Sequence, residues 1–214
     1  MLAKTREPGS VGPVNVFLPM NLQSQEHEYN TQILLRSVRQ DVTSVRPDRA
    51  QVTEAAAEVR KHRKIAIRVG GGAIAAGEAI KSLAEKSGAA VIRGPVAMDA
   101  IESDFPLNVG PAGSKGSIAG NYAAERATLV INIGGRGVCQ SDSSGTLYRR
   151  AWAFININFN AVEAQRYNGI AVVDAARAVV EEILVELRKG LRIEPDPRWQ
   201  AGLARAKKKW DTYL

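Results

Sequence analysis

The chain is predicted to be an α/β protein with a doubly wound, mostly parallel sheet. Two observations predict this class. Short apolar runs alternate with longer segments of helical apolar spacing, the pattern of strands joined by crossover helices. One run, 65–69, leads into Gly70, Gly71 and Gly72 and then into an alanine-rich helical segment. That order is typical of the nucleotide-binding half of such a sheet, whose candidate site lies where the strands end.

The sequence divides into four segments. Residues 1–30 carry a short apolar strand at 14–18 that no earlier segment could pair with, and 31–49 form a charged connector. Residues 50–190 form the α/β domain. Its helices are predicted at 51–63, 73–87, 117–125 and 174–189, its strands at 65–69, 89–92, 129–133, 153–158 and 170–173, and a glycine- and proline-rich loop at 107–115.

The last segment, 191–214, is predicted to be a helical tail. From Pro195 onward its apolar residues fall on one helical face: Trp199, Leu203, Ala206, Trp210 and Tyr213. An isolated helix would expose two tryptophans on this stripe. We therefore expect the tail to dock on the α/β domain or on a partner.

Composition limits the class of protein. Apolar residues make up 45% of the chain, enough for a core, and the single cysteine, Cys139, rules out an internal disulfide framework. We find no apolar run of membrane-spanning length and no apolar signal core at the N-terminus. The prediction is a cytoplasmic protein without a membrane partner.

The formal net charge is +7, with basic clusters at 60–64, 149–150 and 205–209. A nucleic-acid surface is one interpretation. We favour solvated helix ends, since the first cluster falls where a helix stops and cations complement the helix dipole there. No aromatic residues alternate with the basic ones to stack on bases, so we predict no nucleic-acid partner.

Several motifs have both a functional and a structural interpretation. The glycine turn 70–72 suits either a dinucleotide pyrophosphate or a structural turn, and no acidic residue follows the next strand to bind a ribose. The loop 110–117, which contains Gly113, resembles a phosphate loop in composition but lacks the Walker spacing. Arg136 is favoured as an anion ligand at the end of a strand. Other polar residues are interpreted as ordinary surface or turn residues: His27, His62, Asp99, Glu102, Asp104, Ser141, Asp142, Ser143 and Ser144.

Three stretches in this order resemble the central domain of thiamine-diphosphate-dependent enzymes. They are KIAIRVGGGAIAAGEAIKSLAEKSGAAVI, FPLNVGPAGSKGSIAGNYAAERATLVINIGGR and AFININFNAVEAQRYNGIAVVDAARAVVEEIL. The resemblance runs from about residue 48 to 189 and is nearest to trihydroxycyclohexane-dione hydrolases and acetolactate-synthase-like proteins. The segment GPVNVFLPMNLQSQEHEY resembles the closing strand of the family's pyrimidine-binding domain.

The resemblance implies a Rossmann-like, NAD/FAD-binding type of domain in an enzyme that uses thiamine diphosphate and magnesium. Members that bind FAD contact it through positions that correspond here to Gly70, Gly71, Gly72, Arg136, Asn158 and Asp174, and Gly113 completes our candidate set. Asn158 stands where flavin-binding members often carry aspartate. FAD, another adenine nucleotide and an empty site all remain open.

The resemblance also implies what this sequence lacks. The family's catalytic glutamate and its Gly-Asp-Gly…Asn metal motif belong to pyrimidine-binding and pyrophosphate-binding domains, and neither motif occurs here. We predict no catalytic and no metal-binding residue in this chain. We expect a central domain that acts only with those domains, either as a piece of a longer enzyme or as a subunit of a split one, and assembles as a homodimer or larger complex. A stand-alone nucleotide carrier and an interaction protein without a cofactor are the alternatives.

Overall fold

The computed structural model describes residues 15, 17–26, 28, 47–136, 143, 146–190 and 193–213. The chain divides into two compact units, Met1–Val45 and Arg46–Leu214. In the described part of the first unit, a short helix, α1 (Met20–Gln23), buries no residue. The second unit contains the sheet.

Six parallel strands form one sheet in the order β3-β2-β1-β4-β5-β6. The strands are β1 (Ile65–Val69), β2 (Ala90–Arg93), β3 (Asn108–Gly110), β4 (Leu129–Ile133), β5 (Ala153–Ile157) and β6 (Ile170–Val172). The chain leaves β1 in one direction to reach β2 and β3 and returns to add β4 on the other side of β1. The sheet is therefore doubly wound, with its switch point between β1 and β4, and the predicted α/β class is confirmed.

Helices cover both faces of this sheet. They are α2 (Arg49–Lys61), α3 (Gly77–Ser87), α4 (Ile118–Arg126), α5 (Ala161–Ala164), α6 (Ala176–Arg188) and α7 (Pro197–Asp211). None of the described helices is long and apolar enough to cross a membrane. Short 3-10 segments, Gly71–Ala76 and Pro95–Ala100, follow β1 and β2.

The two faces of the sheet pack against different helices. Ile65, Ile67 and Ile131 pack with α2, α3 and α6 in one buried cluster. The alternate positions Ala66 and Val130 face α4 and α7 in a second cluster. Since successive side chains of a strand point to opposite faces, alternate residues of β1 and β4 belong to the two clusters.

The structure differs from the prediction at three elements. Residues 108–110, predicted as loop, form the edge strand β3, because their backbone pairs with β2 despite the neighbouring glycine and prolines. The helix predicted from residue 73 begins at Gly77, after the 3-10 segment Gly71–Ala76. At the predicted strand 14–18, the described residues Asn15, Phe17 and Leu18 have no regular structure, and the other two lie outside the described part.

The tail docks on the α/β domain through α7. Trp199, Leu203 and Ala206 are buried against α4, whereas Trp210 is half-buried and Tyr213 is 71% exposed. Asp196 caps α7 by accepting from the amides of Arg198 and Trp199. The predicted docking of the stripe is therefore found for its first three residues but not for its last.

His62 is buried, so its prediction as a surface histidine is wrong. It follows α2 and is 4% exposed. Its Nε2 lies 3.0 Å from a carboxylate oxygen of Glu58, its Nδ1 2.9 Å from the Thr128 hydroxyl, and the indole of Trp152 donates to Nδ1 at 3.1 Å. Because the His62 ring has these three polar partners, its burial leaves no ring nitrogen unpaired. The sequence does not reveal that Thr128 and Trp152 meet the end of α2. The pKa of Glu58 is lowered, mainly by the hydrogen bond from Lys61 and also by the one from His62. Burial of the carboxylate acts in the opposite direction but is the weaker influence.

Candidate functional site

The candidate site lies at the edge of the sheet where the strands end. The predicted site residues follow the ends of β1 (Gly70, Gly71, Gly72), β3 (Gly113), β4 (Arg136), β5 (Asn158) and β6 (Asp174). Because all the strands are parallel, these positions share one edge. In doubly wound sheets, this edge and the switch point between β1 and β4 are where ligands bind.

At the switch point, the glycine turn after β1 packs on the turn after β4. A Cβ at Gly70 would lie 2.3 Å from the Cα of Gly135, and one at Gly72 would lie 3.1 Å from the Cα of Gly134. Gly134 itself has a φ of +62°, in the region that favours glycine. The absent side chains of this turn therefore make room for protein backbone.

The same packing uses the amide groups of the glycine turn. The amide of Gly70 donates to the Ile133 carbonyl at 2.8 Å, that of Gly72 to the Gly134 carbonyl at 2.9 Å, and that of Ala73 to the Gly70 carbonyl at 3.0 Å. A dinucleotide fingerprint needs free amides that point at a pyrophosphate. In this structure, those three amides already have acceptors.

Beneath the two turns, three polar side chains form a row across the sheet. Arg68, Asn132 and Asn156 are register partners on β1, β4 and β5, and each is at most 5% exposed. The Arg68 guanidinium donates to the Asn132 side chain at 3.1 Å and to the Arg136 carbonyl at 2.9 Å. Asn132 donates to the Gly135 carbonyl at 3.0 Å. The row therefore holds the turn after β4 from below.

The third member of the row, Asn156, binds the backbone that follows α5. Asn156 is fully buried and donates to the Arg166 carbonyl at 2.6 Å. Motif analysis did not identify these three residues as functional. The sequence does contain a pattern that could have indicated them: a polar residue stands one position before the end of β1, β4 and β5, in strands that are otherwise apolar.

Two predicted residues flank the turn after β4. The side-chain amide of Asn158 donates to the Gly135 carbonyl at 3.3 Å, and its side-chain oxygen accepts from the Asn160 amide at 3.0 Å. Arg136 is exposed at the edge, with its carbonyl bound by Arg68. Asn158 thus supports the turn, while the guanidinium of Arg136 is accessible to an anion.

Asp174 has an unused acceptor. It lies between β6 and α6 and is 8% exposed. One carboxylate oxygen accepts from the Ala175 amide, and the other, Oδ2, is buried without a hydrogen-bond partner among the described residues. Leaving a buried oxygen unpaired is costly, so this atom suits a hydroxyl or amine donor from a ligand.

Gly113 lies by the edge strand, and its backbone is already bound. Its φ of +110° requires glycine. Asn121 of α4 accepts from its amide at 2.8 Å and donates to its carbonyl at 3.1 Å. The neighbouring hydroxyl of Ser117 caps α4 through the Gly120 amide at 2.8 Å. These bonds fix the loop onto α4.

The remaining candidates separate into described and undescribed residues. Glu102 is exposed and pairs with Lys81 at 3.0 Å. The hydrogen bond from its own backbone amide, and then the bond from Lys81, lower the pKa of the Glu102 carboxyl. Asp99 and Asp104 are also exposed. His27, Ser141, Asp142 and Ser144 lie outside the described residues. Within the described part, no three His, Cys, Asp or Glu side chains are placed to hold a metal ion.

Two comparisons with known proteins bear on this geometry. Residues 52–183 match the model of the family described as thiamine pyrophosphate enzyme, central domain. The chain is also 30% identical over 183 residues to a 3D-(3,5/4)-trihydroxycyclohexane-1,2-dione hydrolase of Lacticaseibacillus casei, a match that covers 84% of this chain and 28% of the relative.

Two further relatives are also named as hydrolases of this dione. The one from Listeria monocytogenes is 30% identical over 87% of this chain and 29% of its own length. The hydrolase 2 of Bacillus cereus is 28% identical over 97% of this chain and 32% of its own length. The chain therefore spans about a third or less of the length of these curated relatives.

Proposed function

Because the chain belongs to the thiamine pyrophosphate enzyme central-domain family, we propose that it is the non-catalytic, scaffolding part of a thiamine-diphosphate-dependent enzyme. The proposed enzyme cleaves or forms a carbon–carbon bond in a 2-keto acid or a cyclic 1,2-dione. The family match carries this proposal, and the dione appears in the names of the relatives. Thiamine diphosphate and magnesium would be held by pyrimidine-binding and pyrophosphate-binding domains or subunits, where the thiamine cofactor would supply carbanion stabilisation.

The exposed apolar side chains support a partner at the candidate edge. Ile74 and Val96 are 50% and 74% exposed on the adjoining 3-10 segments after β1 and β2, with Met98 beside them at 39%. After β5, Phe159 and Val162 are 43% and 74% exposed. We name these five residues the edge patch. An apolar set at one end of a sheet is typical of a surface that another domain covers.

We expect the isolated chain to give no turnover of a cyclic 1,2-dione or a 2-keto acid, even with thiamine diphosphate and magnesium. Turnover should appear when pyrimidine- and pyrophosphate-domain chains are added, because an enzyme accelerates a reaction only through groups that it positions. The measurement is a product assay combined with sedimentation of the mixture. Turnover by the pure chain would contradict the proposal.

The edge patch provides a matched pair of variants for this assay. Val96→Asp should weaken assembly and the restored activity together while leaving the chain folded, since Val96 is 74% exposed. Val185→Asp on α6, at 50% exposure, is the control away from the edge. Equal loss with both variants would argue against the edge as the docking surface. The predicted homodimer is tested by the sedimentation of the chain alone.

Binding of FAD or another adenine nucleotide is a second candidate function, favoured by the unpaired Oδ2 of Asp174 among the described residues. Arg136 supplies an exposed cation at the same edge. Since the amides of Gly70, Gly72 and Ala73 are occupied, this candidate places the pyrophosphate by Arg136 with fewer amide contacts than a dinucleotide fingerprint provides.

Calorimetry with FAD, NAD and ADP tests the nucleotide candidate. If it holds, Arg136→Ala and Asp174→Asn should each weaken binding by about 1–3 kcal/mol, the scale for a charge-assisted hydrogen bond. Arg188→Ala, an exposed arginine at the C-terminal end of α6, is the control and should leave the affinity unchanged. Absence of heat with all three ligands would reject this candidate without affecting the scaffold proposal.

A further inference from the structure

The opposite edge of the sheet carries a small pocket of about 190 Å3, lined by Lys64, Tyr122, Arg126, Arg150, Arg198 and Trp199. Lys64 precedes β1 and Arg150 precedes β5, so the pocket lies where the strands begin. The helices α4 and α7 supply the other four residues. Segments distant in sequence therefore converge on one concave, basic surface.

Positive charge exceeds negative charge around this pocket. A second hollow beside it is lined by Glu125, Arg126, Arg149 and Arg150. Within the described part, the carboxylates that pair with these cations are Glu125, 3.1 Å from Arg126, and Asp196, 3.3 Å from Lys64. Five cations thus face two carboxylates, an excess of three positive charges. Like charges held this close repel one another, and a bound anion would relieve the repulsion.

One wall of the pocket is aromatic. The rings of Tyr122 and Trp199 stack with centroids 6.2 Å apart, and the guanidinium carbon of Arg126 lies 4.3 Å from the centroid of the Tyr122 ring. This contact and the ion pair to Glu125 hold the Arg126 guanidinium at the pocket wall. Preorganised guanidinium groups lose little freedom on binding and match the geometry of phosphate.

A buried hydrogen-bond donor is the second, independent observation. Trp199 is 2% exposed, and its indole Nε1 has no hydrogen-bond partner among the described residues. A buried indole nitrogen normally finds an acceptor. An oxyanion in the pocket that Trp199 lines would provide one.

We propose that this pocket binds the phosphate group of a small phosphorylated metabolite. Arg126, Arg150 and Arg198 would contact the phosphate oxygens, and the Trp199 indole would donate the neutral hydrogen bond. The small, concave shape favours a compact anion over a nucleic-acid strand, which binds along extended basic grooves with several aromatic platforms. The pocket lies at the far edge of the sheet from the candidate site, so the proposal is independent of the proposed function.

Titration of the chain with inorganic pyrophosphate in a calorimeter tests the proposal. We expect saturable binding that Arg198→Gln weakens about tenfold, the change for a loss of about 1.4 kcal/mol. Trp199→Phe keeps an aromatic ring and removes the donor, so it should weaken binding several-fold. Arg177→Gln, which removes one exposed charge from α6, is the matched control and should bind as the wild type does.

Three results would overturn the proposal. The first is no heat at millimolar pyrophosphate. The second is equal weakening by Arg198→Gln and Arg177→Gln, which would show attraction to net charge and no specific pocket. The third is binding of short duplex DNA more tightly than pyrophosphate with loss in the same pocket variants, which would identify a nucleic-acid surface. Thermal unfolding of each variant checks that the chain remains folded.

Discussion

Gly70→Ala is expected to lower the free energy of unfolding by about 3 kcal/mol or more, because the backbone around it leaves no room for a methyl group. The added methyl would lie 2.3 Å from the Cα of Gly135 and 2.5 Å from the Gly134 carbonyl oxygen. Both are backbone atoms that cannot move like a flexible side chain. The turns after β1 and β4 would have to separate, breaking the 2.8 Å bond from the Gly70 amide to Ile133.

The adjacent glycines supply the controls for this experiment. At Gly72 the nearest atom, the Gly134 Cα, is 3.1 Å away, so Gly72→Ala should have an intermediate effect. At Gly71 the nearest atom is 3.1 Å away but belongs to the exposed Val96 side chain, which can rotate. Gly71→Ala should therefore remain within about 1 kcal/mol of the wild type.

Urea unfolding of the three variants measures this order. A Gly70→Ala protein that proves too unstable to purify leaves the comparison of Gly72→Ala with Gly71→Ala as the test. If alanine at position 70 were tolerated as well as at position 71, the close packing of the two turns would be wrong.

The second large effect is expected at the tail, where Trp199→Ala should cost about 3–5 kcal/mol, the usual range for removing a large buried aromatic residue. Trp199 is the largest fully buried side chain among the described residues and stacks on Tyr122 of α4. The helices approach closely here, since a Cβ at Gly202 would lie 1.9 Å from the Tyr122 hydroxyl. Removing the indole would therefore leave a cavity between α4 and α7.

Two residues of the same stripe are matched controls. Trp210 is half-buried and Tyr213 is 71% exposed, so alanine at either position should cost less than about 1 kcal/mol. Hydrogen exchange separates the two ways in which Trp199→Ala can act. Loss of protection in 197–211 alone means that α7 detaches, and loss throughout the sheet means that the tail belongs to the cooperative unit. Unchanged protection in α7 would contradict its docking role.

Local sequence patterns were sufficient for most of the sheet. Ile65–Val69 and Leu129–Ile133 are short, largely apolar runs between helical segments, and parallel strands buried on both faces require such runs. The edge strand β3 is the exception. Only three residues long and followed by a glycine-rich loop, it owes its structure to the neighbouring backbone of β2.

Site residues were harder to predict than strands. Their positions near strand ends follow from the order of elements: the sequence predicts Asn158 as the last residue of its strand and Asp174 as the first of the following helix, and in the structure they follow β5 and β6. Whether a glycine meets a ligand or another part of the chain depends on what lies across the crevice. No spacing within 70–72 shows that Gly134 and Gly135 pack there.

By itself, the sequence determined the class of fold, the order of the helices and the edge at which the candidate residues gather, because periodicity and chain direction are local properties. Only the tertiary structure decided which polar groups found partners. It buried His62 against Trp152, aligned Arg68 with Asn132 and Asn156, and left one oxygen of Asp174 and the Trp199 indole unpaired among the described residues. Such contacts join residues that are 24 to 90 positions apart, where register and packing set the distances.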